Sequence, residues 1–262
     1  MDQHWPRGDS AQRAYETVAA FYDDFTHGLG YKYEQWTGRL LAKAEELGLE
    51  GNRLLDVGCG TGLSFLPMLE RGWEVTACDV SPEMIERARA KVGDRARLVV
   101  ADMRELPDLG QFDLVWAVND PVNYLLSAEE LEAALVGMRR NLAPEGIALL
   151  DASTLKTHRE FFAGEIVVEE EGKRFFWTGQ KPSQGVEAGG IVEARLEAEG
   201  EEGSAHVHRV RHFPEAEMLA AIEAAGLQCV GVFGEQEGEL QSELDEGVHT
   251  QAVYCFRGGQ PV

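Results

Sequence analysis

The chain has 262 residues, 44% of them hydrophobic and 27% charged, which suits one or two globular units with sizeable cores and excludes a wholly disordered chain. Its 46 acidic against 24 basic residues leave a formal charge of −22, which repels phosphate backbones and anionic lipid, so no nucleic-acid partner is expected. The opening text MDQHWPRGDSAQRAYETV holds no apolar signal segment, and no run approaches the roughly 18 apolar residues of a membrane helix. A cytoplasmic protein with no membrane partner is expected.

Apolar residues recur at helical spacing in AQRAYETVAAFYDDFT (11–26) and YEQWTGRLLAKAEELG (33–48), predicting two N-terminal helices split at HGLGYK and closed at Gly48. Short apolar runs then alternate with helical text: strand RLLDVG, helix LSFLPMLERG, strand WEVTACD, helix SPEMIERARAKVG, strands ARLVVAD and FDLVWAV, helix SAEELEAALVGMRRNL and strand GIALLDA. Such alternation predicts βαβ units with helices on both faces of a parallel sheet. Ser81 before Pro82 reads as an N-cap with proline in the first turn, and Ser127 with Glu130 as a capping box.

After about residue 160 the period becomes two, the mark of antiparallel strands. EIVVEEEGKRFFWTG reads as one strand pair and GGIVEARLEAEGEEGSAHVHRVRHF as another. A turn at EGEEGS would put Val192, Ala194, Leu196, Ala198 and Val207 on one face, and Glu193, Arg195, Glu197, His206 and His208 on the other. The first pattern returns in helix PEAEMLAAIEAAG, ended by Gly226, strand LQCVGVFG, a mobile acidic loop EQEGELQSELDEG and strand TQAVYCF. The expected fold is α/β: a doubly wound, seven-stranded Rossmann-like sheet, parallel with one antiparallel strand, with two N-terminal helices and a small antiparallel β insertion. Residues 1–50 are read as a helical lid, 51–160 as the cofactor-binding core, 161–213 as the insertion, and 214–262 as the last part of the core sheet. The insertion is expected to cap the substrate or to join copies of the chain, which leaves a homo-oligomer open.

Four scattered cysteines with no C-x-x-C pair read as reduced residues, three of them in apolar strand text. His206, His208 and His212 lack the compact Cys or carboxylate companions of a zinc site; a solvated or substrate-facing strand is expected, and no metal.

The stretch LLDVGCGTG (54–62) sets glycines behind an apolar strand. A phosphate-binding Walker loop needs a lysine after its last glycine, but Gly62 is followed by Leu63 and Ser64. The dinucleotide fingerprint needs a third glycine where Leu63 stands. What is present is an acid followed by glycines at alternate positions: Asp56, Gly58, Gly60 and Gly62.

This pattern resembles the first motif of class I S-adenosylmethionine-dependent methyltransferases, where glycines lacking Cβ let the backbone approach the ligand. Asp56 is then expected to accept a bond from the ligand's ammonium or to order the loop. Asp79, 23 residues later at the end of a strand, resembles the acid that takes the ribose hydroxyls, followed by Val80 and Met84 on the adenine face. VVADMRELP resembles the third motif, implying that Asp102 receives the adenine amino group and Met103 contacts the ring. FDLVWAVNDPVNYL resembles the fourth, bringing Asn119 to the reacting methyl. The resemblance covers about residues 50–155 and, weakly, the last two strands. Singly, each acid also reads as an ordinary turn former; the ordered set carries the resemblance.

FYDDFTHGLGYKYEQW resembles the entry segment of a subgroup holding glycine, sarcosine and amino-sugar N-methyltransferases, in which Tyr22, Asp23, Tyr33 and Trp36 would fold over the cofactor. Tyr22 stands either against the sulfonium, a cation contact of about 0.5 to 2 kcal/mol, or as helix packing. Trp36 reads as core, with Leu40 and Leu41 on the same helix side. Amino-sugar enzymes of the subgroup place a histidine where Tyr124 stands. Asp120, Tyr124 and Tyr22 are the candidate catalytic residues, Asp120 or Tyr124 to orient or deprotonate the acceptor, while Tyr33, Asn123 and Tyr124 are candidates to contact it; Pro121 also allows a plain turn here.

The resemblance implies a methyltransferase with S-adenosyl-L-methionine as cofactor and a small molecule as substrate. Its reaction is an in-line displacement in which placement alone supplies about 7 to 11 kcal/mol of the barrier. An amine nitrogen is the first expectation for the acceptor and a hydroxyl or carboxyl oxygen the alternative. An NAD-dependent oxidoreductase and a non-catalytic cofactor-binding protein are the readings from other classes.

Overall fold

A computed structural model describes residues 9–180, 185–200 and 205–259. The N-terminal text forms three helices, not the expected two: α1 (Asp9–Val18), α2 (Tyr22–Gly28) and α3 (Tyr33–Glu46). The first expected helix breaks at 19–21 because both Ala19 and Phe21 are buried, and Phe21 stacks on Phe175 with ring centroids 5.4 Å apart. Helical periodicity runs through the break; packing overrides it.

The central layer contains β1 (Arg53–Val57), β2 (Glu74–Asp79), β3 (Ala96–Val100), β4 (Phe112–Ala117) and β5 (Leu142–Ser153), with α4 (Leu66–Glu70), α5 (Pro82–Val92) and α6 (Ala128–Asn141) in the connections. α4 is shorter than its text suggests because Pro67 lies in its first turn, where a missing N–H is tolerated. The Ser81 hydroxyl accepts from Met84 N, and Ser127 from Glu130 N, as the capping text requires. Glu130 returns a bond to Leu126 N rather than to the cap itself.

After β5 comes a short helix, α7 (Leu155–Thr157), and a wide turn through Phe162 leading into a separate antiparallel sheet: β6 (Glu165–Glu170), β7 (Lys173–Gly179), β8 (Ile191–Ala198) and β9 (His206–Arg211), paired in that order. The chain re-enters the first sheet through α8 (Glu215–Ala224), β10 (Leu227–Gln236), β11 (Glu239–Ser242) and β12 (Gln251–Gly258). The order is β11-β10-β12-β5-β4-β1-β2-β3, with β12 antiparallel to both neighbours.

The sheet thus has eight strands where seven were expected. The extra edge strand, β11, comes from the acidic text read as a mobile loop. Glu237 (φ 51°) and Gly238 (φ 83°) take the two left-handed conformations of a tight hairpin turn, and Arg39 pairs with Glu239 at 3.2 Å.

Parallel strands buried on both faces divide two cores. On one side Trp36, Leu40 and Leu41 of α3 pack with Phe65, Met68, Ile85 and Ala88. On the other, Leu131, Leu135 and Met138 of α6 pack with Met218 and Ile222 of α8. A third core joins the second sheet to α1 and α2, where Phe175, Trp177, Val192, Ala194 and Leu196 meet Val18, Phe21 and Phe25.

The expected faces of β8 hold, but those of β9 are reversed. Val192 pairs with Val210, Ala194 with His208 and Leu196 with His206, so both histidines point inward and Val207, opposite Arg195, is 41% exposed. A one-residue offset moves every side chain of a strand to the other face. Part of the turn expected to set this register, 201–204, lies outside the described residues. Among the described residues no helix is long and apolar enough to cross a membrane.

Candidate active site

The glycine loop leaves β1 at the carboxyl edge of the sheet. Gly58 N and Cys59 N both donate to Cys78 O, at 2.8 and 3.0 Å, tying the loop to β2. Gly58 has φ 78°, and a Cβ there would stand 2.7 Å from Pro121; Gly60 has φ 53° with only Tyr22 near, at 3.9 Å. Both line a cavity of about 740 Å³, within the range of roughly 300 to 1,000 Å³ usual for small-ligand sites. Gly62 is off the wall: its φ is 91° and a Cβ would strike the Phe65 ring at 2.8 Å, so this glycine serves packing.

Asp56 is fully buried behind the loop, where Oδ2 accepts the Ser64 hydroxyl at 2.5 Å. Its carboxylate faces Ser64 and not the cavity, and burial pushes its pKa up to about 7. Asp79 does reach the wall. Its Oδ2 accepts from Gly60 N and its Oδ1 from Ser81 N, both at 2.9 Å, so one carboxylate organises the loop and the start of α5; burial raises its pKa. Val80 lines the cavity beside it. Met84 does not: the cap at Ser81 turns it into the third core, where it is fully buried.

Asp102 and Met103 line the wall after β3, together with a residue the sequence did not single out, Arg104. The Arg104 guanidinium grips both Asp102 oxygens and reaches Glu130 at 3.2 Å. Burial works to raise the Asp102 pKa, but the bonds from Arg104 outweigh it and hold the carboxyl below its ordinary value.

Past β4 the backbone takes two successive left-handed conformations, at Asn119 (φ 74°) and Asp120 (φ 63°). These turn the two side chains apart. Asn119 lines the cavity, and its Oδ1 is buried without a hydrogen-bond partner. Asp120 is off the wall, among Asp151, whose Oδ1 accepts Asp120 N at 2.8 Å, and Gln251, which donates to Oδ2 at 3.1 Å. Burial, then the neighbouring Asp151, pushes Asp120 up to about 7. The Trp36 indole donates to the same Asp151 at 2.8 Å. Asn123 is likewise off the wall, a fully buried clip that donates to Arg211 O at 2.8 Å and accepts from Ser153 N at 3.0 Å.

The first residues of α2 and α3 are Tyr22 and Tyr33, whose hydroxyls lie 3.4 Å apart on the wall. Burial pushes Tyr22 up to about 12, leaving a neutral phenol. Asp23 ties α2 to the glycine loop and α5, accepting the Thr61 hydroxyl at 2.5 Å and pairing with Lys91 at 2.5 Å. Tyr124 lines the wall near the two tyrosines with its hydroxyl 2.8 Å from His208 Nδ1, and Tyr15 of α1 packs against both Tyr22 and Tyr124, at 5.9 and 5.1 Å between ring centroids. Tyr15 was not singled out by the sequence, and His208 was expected only as part of a solvated or substrate-facing strand. His212 turns away to Glu246, so the three histidines do not converge.

Residues 54–146 match the model of a methyltransferase domain family. Two putative methyltransferases, YqeM of Bacillus subtilis (strain 168) and one of Geobacillus sp. (strain WCH70), are 34% and 30% identical over 62% and 63% of this chain; the chain spans 65% and 68% of their lengths. The dTDP-3-amino-3,4,6-trideoxy-alpha-D-glucopyranose N,N-dimethyltransferase of Streptomyces venezuelae is 28% identical over 84% of this chain and 94% of its own. Among solved structures, that of SAM-bound CalS10, an amino pentose methyltransferase from Micromonospora echinaspora, superposes with a TM-score of 0.69 at 25% identity, covering 89% of this chain and 95% of that one.

Proposed function

This chain belongs to the S-adenosylmethionine-dependent methyltransferases, and we propose that it moves a methyl group from that cofactor to the nitrogen of a small-molecule amine. The observation that carries the reading is the cavity. One end is a backbone cradle at Gly58 and Gly60 beside the Asp79 carboxylate, and the other is a wall of hydrogen-bonding groups around Asn119 and Tyr124. The residues present fit the cofactor: the cradle lacks room for a Cβ at Gly58, Asp79 offers lone pairs for vicinal hydroxyls, and Asn119 Oδ1 lacks a donor.

When bound, S-adenosylmethionine supplies an electrophilic methyl group and its own neutral leaving group. The chain's residues then have to hold, orient and exclude water. Asp79 is assigned to the ribose hydroxyls, Val80, Asp102 and Met103 to the base, and the Gly58–Gly60 backbone with Asn119 to the amino-acid end. Tyr22 and Tyr33 close the lid over the sulfonium, held down through Asp23. Tyr124 is assigned to the acceptor. Asp56, Asp120 and Asn123 support the loop and the turn from behind, a change from the direct roles expected for Asp120 and Asn123. The second sheet acts as the substrate cap, bringing His206, Val207 and Arg209 to the cavity mouth.

An amine acceptor is supported by the amino-sugar relatives. Four free cysteines and the absence, among the described residues, of a membrane-length helix support a cytoplasmic site of action. Mass spectrometry of products from a panel of small amines and matched hydroxyl compounds, incubated with the protein and methyl-labelled cofactor, tests the reading. Label on an amine nitrogen is expected; label on the hydroxyl compounds alone would overturn it.

A further inference from the structure

One buried titratable group stands behind Tyr124. His208 is 3% exposed on the inner face of β9, between Tyr15 at 5.6 Å and Trp177 at 5.3 Å, and the only hydrogen bond of its imidazole among the described residues is to the Tyr124 hydroxyl. Nε2 has no partner. Burial pushes the imidazole down to about 3, with His206 adding to the shift, so it is neutral at any working pH.

A neutral ring in this setting is a poor proton store, yet it has one firm capability. Between a phenol of ordinary pKa about 10 and an imidazole of about 6.5, the phenol is the better donor and the imidazole nitrogen the better acceptor. The 2.8 Å contact is therefore best satisfied with Tyr124 O–H donating to Nδ1 and the remaining ring proton on Nε2. Tyr124 lines the cavity and its oxygen also accepts from the neighbouring Tyr15 hydroxyl, so with its own hydrogen drawn back toward β9 it keeps a remaining lone pair for the cavity. Donation to a second acceptor strengthens that lone pair.

We propose that His208 is a positioning residue for the methyl acceptor: by accepting the Tyr124 proton it turns the phenol oxygen into a fixed hydrogen-bond acceptor for the polar hydrogen of the incoming substrate. On the reading above that hydrogen is an amine N–H, and the inference rests on that reading only for the acceptor's identity. An amine held by its N–H has its own lone pair free to point at the methyl group. Asn119 Oδ1 is another buried acceptor on the wall without a donor. The methyl acceptor itself makes no bond to His208.

Long-range proton–nitrogen NMR of histidine-labelled protein bound to S-adenosylhomocysteine reads the pair without any acceptor. The neutral tautomer with hydrogen on Nε2 is expected for His208; hydrogen on Nδ1, or an imidazolium, would overturn the proposal. Kinetics on whichever panel compound turns over supply the second arm. His208→Leu and Tyr124→Phe are each expected to lower kcat about tenfold, the size of one hydrogen bond, with S-adenosylhomocysteine affinity unchanged. The double variant should be no slower than Tyr124→Phe. His208→Asn, which keeps an acceptor near the Nδ1 position, should recover most of the rate. Independent, multiplying losses, or a loss of cofactor affinity in His208→Leu equal to its loss of rate, would refute the pairing. Turnover of hydroxyl compounds alone would refute the amine reading while the tautomer and the variants still decide the pair.

Discussion

On the side of the cavity facing β1 and β2 the wall is largely backbone: Gly58 and Gly60 in left-handed conformations, the loop's N–H groups tied to Cys78 O, and one carboxylate, Asp79, gathering Gly60 N and Ser81 N. On the side facing β9 the wall is side chain, with Tyr15 and Tyr22 from two helices, Tyr124 from the exit of β4, and His208 behind it. A backbone wall cannot be changed without disturbing the sheet that makes it, whereas a side-chain wall can be exchanged residue by residue. On the proposed assignment the cofactor's ribose and amino-acid end meet the rigid backbone wall, while the acceptor meets the exchangeable side-chain wall.

That contrast can be broken most directly at Asp79. Asp79→Ala removes a charged acceptor and frees one loop N–H, Gly60, and one at the start of α5, Ser81, and it is expected to weaken S-adenosylhomocysteine binding by roughly 10- to 100-fold in titration calorimetry, the range of about 1.5 to 3 kcal/mol for bonds to a charged group. Tyr124→Phe, on the other wall, should change that affinity less than threefold, roughly the low end of a neutral bond. Equal affinities for wild type and Asp79→Ala would defeat the ribose assignment. Gly62→Ala sharpens the division within the loop itself. With φ at 91° and the Phe65 ring 2.8 Å from the new Cβ, it should cost about 1 to 3 kcal/mol of stability in denaturant unfolding yet spare cofactor affinity in the fraction that folds. A stable variant with weak binding would make Gly62 part of the cradle.

Tyr22→Leu tests whether the lid ring faces a cation. It should lower affinity for S-adenosylmethionine more than for the uncharged S-adenosylhomocysteine, by about 0.5 to 2 kcal/mol, while Tyr22→Phe keeps the ratio. An unchanged ratio in Tyr22→Leu would leave Tyr22 as packing. A further test lies in the pH dependence of stability. Asp56, raised by burial to about 7 in the folded chain, loses its proton near 3.8 when unfolded, so the stability tied to that proton is complete at low pH and fades as pH rises through about 7. Stability of Asp56→Asn should fall less than wild type over that window; identical slopes would show that Asp56 keeps its charge when folded.

The sequence revealed these two walls unequally, for physical reasons. Asp56, Gly58, Gly60 and Asp79 form a site through local spacing and the end of one strand beside another, and all of that is written in consecutive residues. Which of them touch the cavity was not: the outward turn of Asn119 and inward turn of Asp120 follow from left-handed backbone that NDP text permits without requiring. His208 was hidden by register. In HVHRVR the two valines are three apart, so no alternating frame can bury both, and the choice of Val210 over Val207 is made by contacts with β8, Tyr15 and Tyr124. The break at 19–21 was hidden for a similar reason, since helical periodicity continues across it while Phe21 is drawn under β7.

A crystal structure of the protein soaked with S-adenosylhomocysteine would show where the cofactor sits. The ligand is expected along the carboxyl ends of β1 to β4, ribose hydroxyls on Asp79 and the sulfur end toward Tyr22 and Asn119. A ligand seated anywhere else, or one that leaves Asp79 without a contact, would contradict that placement.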